Sequence, residues 1–188
     1  MTVSRAVAED APAVHAIALQ NAYENLEDPQ KGFLVGGKPL EFYQLAIEAG
    51  VVYVAREDGV LVGFTLVCDL QSRFAEGDLE EVHRGRLWDT VSQAPNLKWF
   101  VQTAVTRERL HRGYGWALVN HVFELFPKSS FGGSIVEEWA LPGKTLSNAA
   151  SVAFRKKQGF QRIGGLMYPY KASPMMVGIY LKPAPANP

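Results

Sequence analysis

Two apolar runs, Val51–Ala55 and Val60–Leu70, flank Glu57-Asp58-Gly59. Their β-branched content and the Asp-Gly pair between them predict two strands joined by a tight hairpin. Leu97–Val105 and Gly133–Ala140 predict two more strands, Val3–Ala6 a short one, and Phe160–Tyr168 with Met175–Leu181 a closing antiparallel pair. Helical spacing alternates with these runs. Val14, Ile17 and Ala18 follow Asp10 and Pro12, which predicts a helix over about 11–23 with Asp10 as its N-cap. Pro39–Ala49 predicts a second helix, stopped by Gly50. Gly115–Phe126 predicts a third, with Val119, Val122, Phe123 and Phe126 on its apolar face and Pro127 beyond it. Asn148–Gln158, stopped by Gly159, predicts a fourth. Residues 25–39 carry the breakers of a loop. Residues 71–96 are polar and partly helical, with a weak apolar face at Leu79, Val82, Leu87 and Trp88. The order β-α-α-β-β-(α)-β-α-β-α-β-β reads as one α+β domain over 1–182 built on a mixed sheet. The proline-rich residues 183–188 are expected to be a disordered tail.

The segment V-T-R-E-R-L-H-R-G-Y-G-W-A, Val105–Ala117, passes from an apolar strand through a basic loop into a helix. Gly113 and Gly115 allow a backbone to approach a ligand without Cβ interference. The N–H groups and positive dipole end of the following helix favour an anion there, and Arg107, Arg109 and Arg112 add charge suited to phosphate. On its own the pattern fits a tight turn equally well. It is not a Walker loop, which needs Gly-Lys-Ser/Thr, and it lacks the third glycine and the early position of a dinucleotide fingerprint.

Composition narrows the partners. The formal net charge is zero over 188 residues, whereas a general nucleic-acid binder is expected to be clearly basic. The basic residues cluster at 107–112 and 155–157, which fits one small polyanion better than a duplex, or else two solvated surfaces. No apolar stretch approaches the roughly 20 residues of a membrane span, and no signal pattern opens the chain, so a cytoplasmic protein is expected. Cys68 is the single cysteine and lies within an apolar run, the setting of a buried small hydrophobe. His15, His83, His111 and His121 show no metal-ligand spacing, and no metal is expected.

Three segments in order resemble the GNAT superfamily of acyl-CoA-dependent N-acetyltransferases. Leu110-His-Arg-Gly113-Tyr-Gly115 falls on the family's Gln/Arg-x-x-Gly-x-Gly/Ala loop, with Leu110 in the place of Gln or Arg. Asn148 through Phe160 is similar to the Asn-containing helix that ends in Tyr-x-Lys-x-Gly-Phe. Lys157, Gly159 and Phe160 agree, and Arg155 stands where tyrosine is usual. Ala6 and Asp10 match the opening Arg-x-Ala-x-x-x-Asp, with Ser4 at the arginine position. The resemblance covers essentially the whole chain and implies a sheet of about seven strands, splayed between the strands at 97–105 and 133–140. It also implies acetyl-CoA as cosubstrate. The pantetheine arm would lie in the gap against the backbone of Thr103, Ala104 and Val105. Its pyrophosphate would lie on the N–H groups of Leu110, His111, Arg112, Gly113, Tyr114, Gly115 and Trp116. Asn148 would bond the pantetheine arm, cap its own helix, or do both. Arg155 would hold a CoA phosphate, Lys157 would cap its helix and Phe160 would be core.

By the same resemblance, an acceptor amine attacks the thioester directly in a ternary complex. A base takes a proton from an ammonium whose free pKa is about 10, and an acid meets the leaving thiolate. Glu137 and Glu138 alternate across one strand, so one of them can face the acceptor; Glu137 is the candidate base, and an ion-paired carboxylate is the alternative. Tyr168, or Tyr170, is the candidate acid in place of the missing tyrosine; Arg155 is no effective acid at neutral pH. Gln102 can orient a water or substrate. The acceptor pocket is expected from Phe33–Pro39, the 71–96 insert and the connection between the last two strands. These regions and their neighbours bring Tyr23, Phe33, Tyr43, Phe74, Trp88, Trp139, Tyr168 and Tyr170, with Glu76, Asp78, Glu80 and Glu81. Met175, Met176 and Ile179 suit either a homodimer surface or the core. An N-acetyltransferase acting on a small-molecule or peptide amine is the leading reading. A non-catalytic acyl-CoA sensor and a structural protein that binds nothing are the alternatives.

Overall fold

Asp58 and Gly59 both have positive φ, 51° and 81°. That is the backbone of the two-residue hairpin loop an Asp-Gly pair favours. The loop joins β2 (Val52–Glu57) to β3 (Val60–Cys68). The computed structural model describes residues 1–26, 32–35, 37–170 and 173–185; of residues 168–170 it describes the backbone alone. The other strands are β1 (Thr2–Arg5), β4 (Lys98–Val105), β5 (Phe131–Leu141), β6 (Lys144–Ser147), β7 (Gln161–Tyr170) and β8 (Ser173–Lys182). The helices are α1 (Ala11–Asn21), α2 (Leu40–Glu48), α3 (Glu76–Arg84), α4 (Trp88–Ser92), α5 (Tyr114–Leu125) and α6 (Ala149–Lys157). The strand order is β1-β2-β3-β4-β5-β8-β7, with β6 paired to β5. The sheet is mostly antiparallel, and β4 and β5 pair in parallel at only two positions, Lys98↔Phe131 and Trp99↔Gly132. This is the expected mixed α+β architecture, with eight strands rather than about seven.

The chain's contacts fall into two compact units. The first comprises Met1–Leu26, Leu34–Cys68 and Phe100–Pro127. Alternation along β2 and β3 sends successive side chains to opposite faces. Phe64 meets the Tyr43 ring of α2 edge-on, while Tyr53 meets His121 of α5. Val14, Tyr43 and Ala46 of the first two helices and Leu118, Val119 and Val122 of α5 are fully buried, so this part of the sheet is covered on both faces. Asp10 holds the N-cap position of α1, as expected, but its side chain makes no cap bond to that helix. It sits inside a short 3-10 turn, accepts the N–H of Val7 at 2.9 Å and pairs with Arg56 at 2.5 Å. The ion pair from β2 competes successfully with the local cap, which is the kind of tertiary influence that a sequence signal does not carry.

The second unit comprises Glu27–Phe33, Asp69–Trp99 and Lys128–Pro188. Trp99 is fully buried over Gly132, where a Cβ would lie 2.3 Å from its ring. β5, β8 and β7 run antiparallel. Two one-residue bulges interrupt them, at Glu137 in β5 and at Ile163 in β7. A hairpin at Pro142-Gly143, with Gly143 at φ 75°, returns β6 against β5. The polar stretch 71–96 forms α3 and α4, and of its weak apolar face only Val82 is fully buried. Met175 and Ile179 are buried in this unit's core, so they offer no surface to a second copy of the chain.

Candidate active site

In the first unit the site candidates lie on β4, the loop after it and the start of α5. Phe100 meets Phe123 of α5 edge-on at 6.1 Å. Thr103 Oγ1 lies 2.8 Å from Thr65 Oγ1; Thr65 is the register partner of Tyr53, on the α5 face. Val105 clusters with Tyr114 and Leu118 of α5. Residues 100, 103 and 105 thus share a face, which strict alternation forbids. One extra residue must intrude between Phe100 and Thr103, a bulge that re-aims the backbone of β4. Apolar alternation gave no hint of it, because both faces are buried here. Gln102, on the opposite face, accepts the Tyr43 hydroxyl through Oε1 at 3.0 Å. Desolvation pushes the Tyr43 phenol up to about 12, and the bond to Gln102 offsets only part of that.

At the end of β4, Thr106 N–H donates to Val62 O at 2.8 Å. The Val105 carbonyl, in the same peptide, points the other way and accepts the Asn21 amide at 3.0 Å. A 3-10 turn then covers Arg107–Arg109. Within the turn Leu110 and Arg112 donate their N–H groups to Arg107 O and Arg109 O, both at 3.4 Å. His111 and Gly113 take positive φ, 64° and 89°, and α5 begins at Tyr114. A helix start leaves its first N–H groups without intrahelical acceptors, here those of Tyr114, Gly115 and Trp116. A Cβ on Gly113 would meet nothing within 4 Å, so the ground before these donors is open. His111, Arg112 and Trp116 are exposed.

The three arginines differ. Arg109 pairs with Glu57 of β2 at 2.9 Å, and Tyr114 donates its hydroxyl to the same carboxylate. The Tyr114 bond, with Arg109 and Arg112 nearby, holds Glu57 below its ordinary range, and Glu57 in turn raises Tyr114. The Arg107 N–H donates to Gln20 Oε1 at 3.2 Å. The loop is therefore fastened on one side by Glu57 and on the other by the end of α1.

In the second unit Glu137 is the bulged residue of β5. Arg162 binds its carboxylate through Nε at 2.9 and 3.1 Å and through Nη2 at 3.0 Å, and Tyr180 donates its hydroxyl to it. Burial alone would raise this acid, but the bonds from Arg162 and Tyr180 prevail and hold it below the usual carboxylate value. A carboxylate held ionised by a guanidinium and a phenol is a poor acceptor for an ammonium proton. Glu137 is placed as an anchor, and the expected base role does not match this geometry. Its carbonyl also accepts the N–H of Asn148 at 2.9 Å, so the bulge fixes where α6 starts.

Asn148 is buried at the N-cap position of α6, yet its side chain caps nothing. Its Nδ2 donates to Phe33 O at 3.3 Å, and its Oδ1 is buried with no hydrogen-bond partner among the described residues. Arg155 corrects the expectation of a phosphate contact. Its guanidinium is buried between the rings of Phe154 and Phe160, 6.0 and 5.1 Å from their centroids, and contacts Gln158. Desolvation pulls it down to about 10. Its place on the inward stripe of α6, between Phe154 and Gln158, put it in the core. Phe160 is core, as expected. Tyr168 lies on β7 opposite Met175; its side chain, like that of Tyr170, lies outside the described residues.

Of the expected acceptor aromatics, Tyr43 and Trp139 are core, and Phe33 and Phe74 are buried. Asp78 of α3, expected among the acids of the acceptor region, accepts the indole N–H of Trp99 at 2.6 Å and the hydroxyl of Ser134 at 2.7 Å. Glu80 pairs with Arg84 one turn on.

The GNAT acetyltransferase family model matches residues 19–160. A search of characterised sequences gives no significant match. Among solved structures, the ribosomal-protein-S18-alanine N-acetyltransferase of Escherichia coli superposes with a TM-score of 0.65 at 16% identity, covering 100% of this chain and 96% of that one. The ribosomal-protein-alanine N-acetyltransferase of Brucella melitensis gives 0.64 at 19%, covering 97% and 99%. Ard1 of Thermoplasma volcanium gives 0.62 at 16%, covering 98% of each. At such identities the likeness is one of fold. The match of the family model over most of the sequence goes further, and with the glycine loop at the head of α5 it makes this chain a member of the GNAT acetyltransferase family.

Proposed function

We propose that the protein is an N-acetyltransferase that moves an acetyl group from acetyl-CoA to an amine of a small molecule or peptide. The observation that carries this reading is the start of α5, where Gly113 has positive φ with open space at its Cβ position and the first turn offers N–H groups without intrahelical acceptors. Acetyl-CoA supplies the activated acyl group, and its thiol is the leaving group. The N–H groups of Tyr114, Gly115 and Trp116 hold the pyrophosphate, and the exposed Arg112 adds charge. In the second unit, taken by itself, the orphaned Oδ1 of Asn148 suits an amide N–H donor of a ligand, since a buried acceptor left unpaired costs about 1–3 kcal/mol. By the family resemblance, backbone N–H groups of β4 polarise the thioester carbonyl, the donor type that stabilises a developing oxyanion. Glu137 holds the start of α6 in place and leaves the acceptor's proton to water or to another group.

The test is calorimetric titration of acetyl-CoA, followed by a screen of small and peptide amines with detection of free thiol. Micromolar binding and amine-dependent thiol release are expected. Binding without release for any amine would favour an acyl-CoA sensor, a reading that the engaged Glu137 carboxylate supports. Absence of binding would overturn both.

A further inference from the structure

We infer that the end of α1 is a positioning element for the cofactor loop, with Asn21 and Gln20 as its working residues; the inference rests on the CoA reading of that loop. Asn21 is 6% exposed and its amide donates twice, to Ile17 O at 2.9 Å and to Val105 O at 3.0 Å. The first bond fixes the side chain against its own helix. The second reaches 84 residues along the chain to the last carbonyl of β4. Asn21 also gives its own carbonyl to Leu34 N–H at 2.8 Å, so one residue joins the helix end, the returning segment and the strand. Gln20 continues the joint. Its Oε1 accepts the N–H of Arg107 at 3.2 Å and its Nε2 donates to Glu108 at 3.2 Å.

These bonds decide the direction of the chain as it leaves β4. With the Val105 carbonyl drawn to Asn21 and the Arg107 N–H drawn to Gln20, the 3-10 turn is pinned at its first residue. The positive-φ residues His111 and Gly113 follow from that fixed start. A ligand that lies on N–H groups of such a loop benefits when the loop is already in its bound shape, because no ordering cost remains at binding. Neither residue touches the head of α5 itself, so the effect is on position and reaches the ligand through the loop.

The experiment compares wild type, Asn21→Leu, Gln20→Leu and, as a control, Ile17→Val, which trims the buried face of the same helix. CoA is titrated by calorimetry, and hydrogen exchange is followed at the Arg107 amide without ligand. Loss of one such hydrogen bond is expected to weaken CoA binding about tenfold in each α1-end variant, with faster exchange at Arg107 in Gln20→Leu. Ile17→Val is expected to lower Tm and leave affinity unmoved. Equal affinity in wild type and both α1-end variants, or an equal loss in the control, overturns the positioning role while the CoA site stands. Failure of the wild type to bind CoA overturns the reading of the site and this inference with it. Gln20 is half-buried, so its variant keeps the test alive should Asn21→Leu fail to fold.

Discussion

Single residues show how little separates an anchor from a catalyst. Gly113 holds φ 89° with open space where its Cβ would be. Gly113→Val is therefore strained by backbone conformation and not by collision, at a cost of roughly 1–2 kcal/mol. Calorimetry should show CoA affinity reduced at least tenfold while circular dichroism reports the fold retained. Glu137 makes the opposite case. Its folded pKa lies below the ordinary carboxylate value, held there by the bonds from Arg162 and Tyr180. Its stabilisation is present above the unfolded pKa and is lost as pH falls through the lower folded one. Wild-type stability should therefore decline below about pH 4.5, and that decline should be shallower in Glu137→Gln. At neutral pH the variant should be less stable by about 1 kcal/mol, a modest figure because Arg162 is 41% exposed. The rise of kcat/KM with pH should keep its slope in the variant; a flattened slope would return Glu137 to the role of base.

Elements were legible where one period dominated. The Asp-Gly hairpin, α5 starting after Gly113 and the closing antiparallel pair follow from local rules that tertiary structure reinforces. The bulges at Phe100–Thr103 and at Glu137 were not legible, because alternation is read on the assumption that no residue is extra. β6 was missed because Lys144–Ser147 carries only one buried residue, Leu146. Glu137 looked like a base on type and alternation alone; Arg162 and Tyr180, 25 and 43 residues away, decide its chemistry. The same cluster crowds β8, where a Cβ at Gly178 would collide with the Glu137 carboxylate that Arg162 and Tyr180 hold in place. Gly178→Ala should lower stability by roughly 1–3 kcal/mol in thermal denaturation. Pairing it with Glu137→Ala should recover part of the loss, a coupling that a double-mutant cycle measures.

For the whole molecule, zero formal charge means that binding of a polyanion depends on local donors and not on a long-range field. CoA should therefore act as a folding ligand, adding about 2.7 kcal/mol at one hundred times its Kd. A scanning calorimeter should register this as a concentration-dependent rise in Tm, absent in the Gly113→Val protein at equal CoA. Ordinary composition and charge excluded classes of partner without naming one. The order of loosely matching motifs pointed to the family, and the family-model match over residues 19–160 shows it.

The lone thiol gives the molecule a built-in reporter. Cys68, at the end of β3, is 5% exposed. A chromogenic thiol reagent added to the assay of the proposed reaction would colour with any CoA released and stay blind to the folded protein, so initial rates would need no protein blank. Once the chain unfolds, one equivalent of sulfhydryl per molecule joins the signal. A single cuvette can therefore separate catalysis from denaturation, the first growing with amine and the second capped at the protein's own concentration.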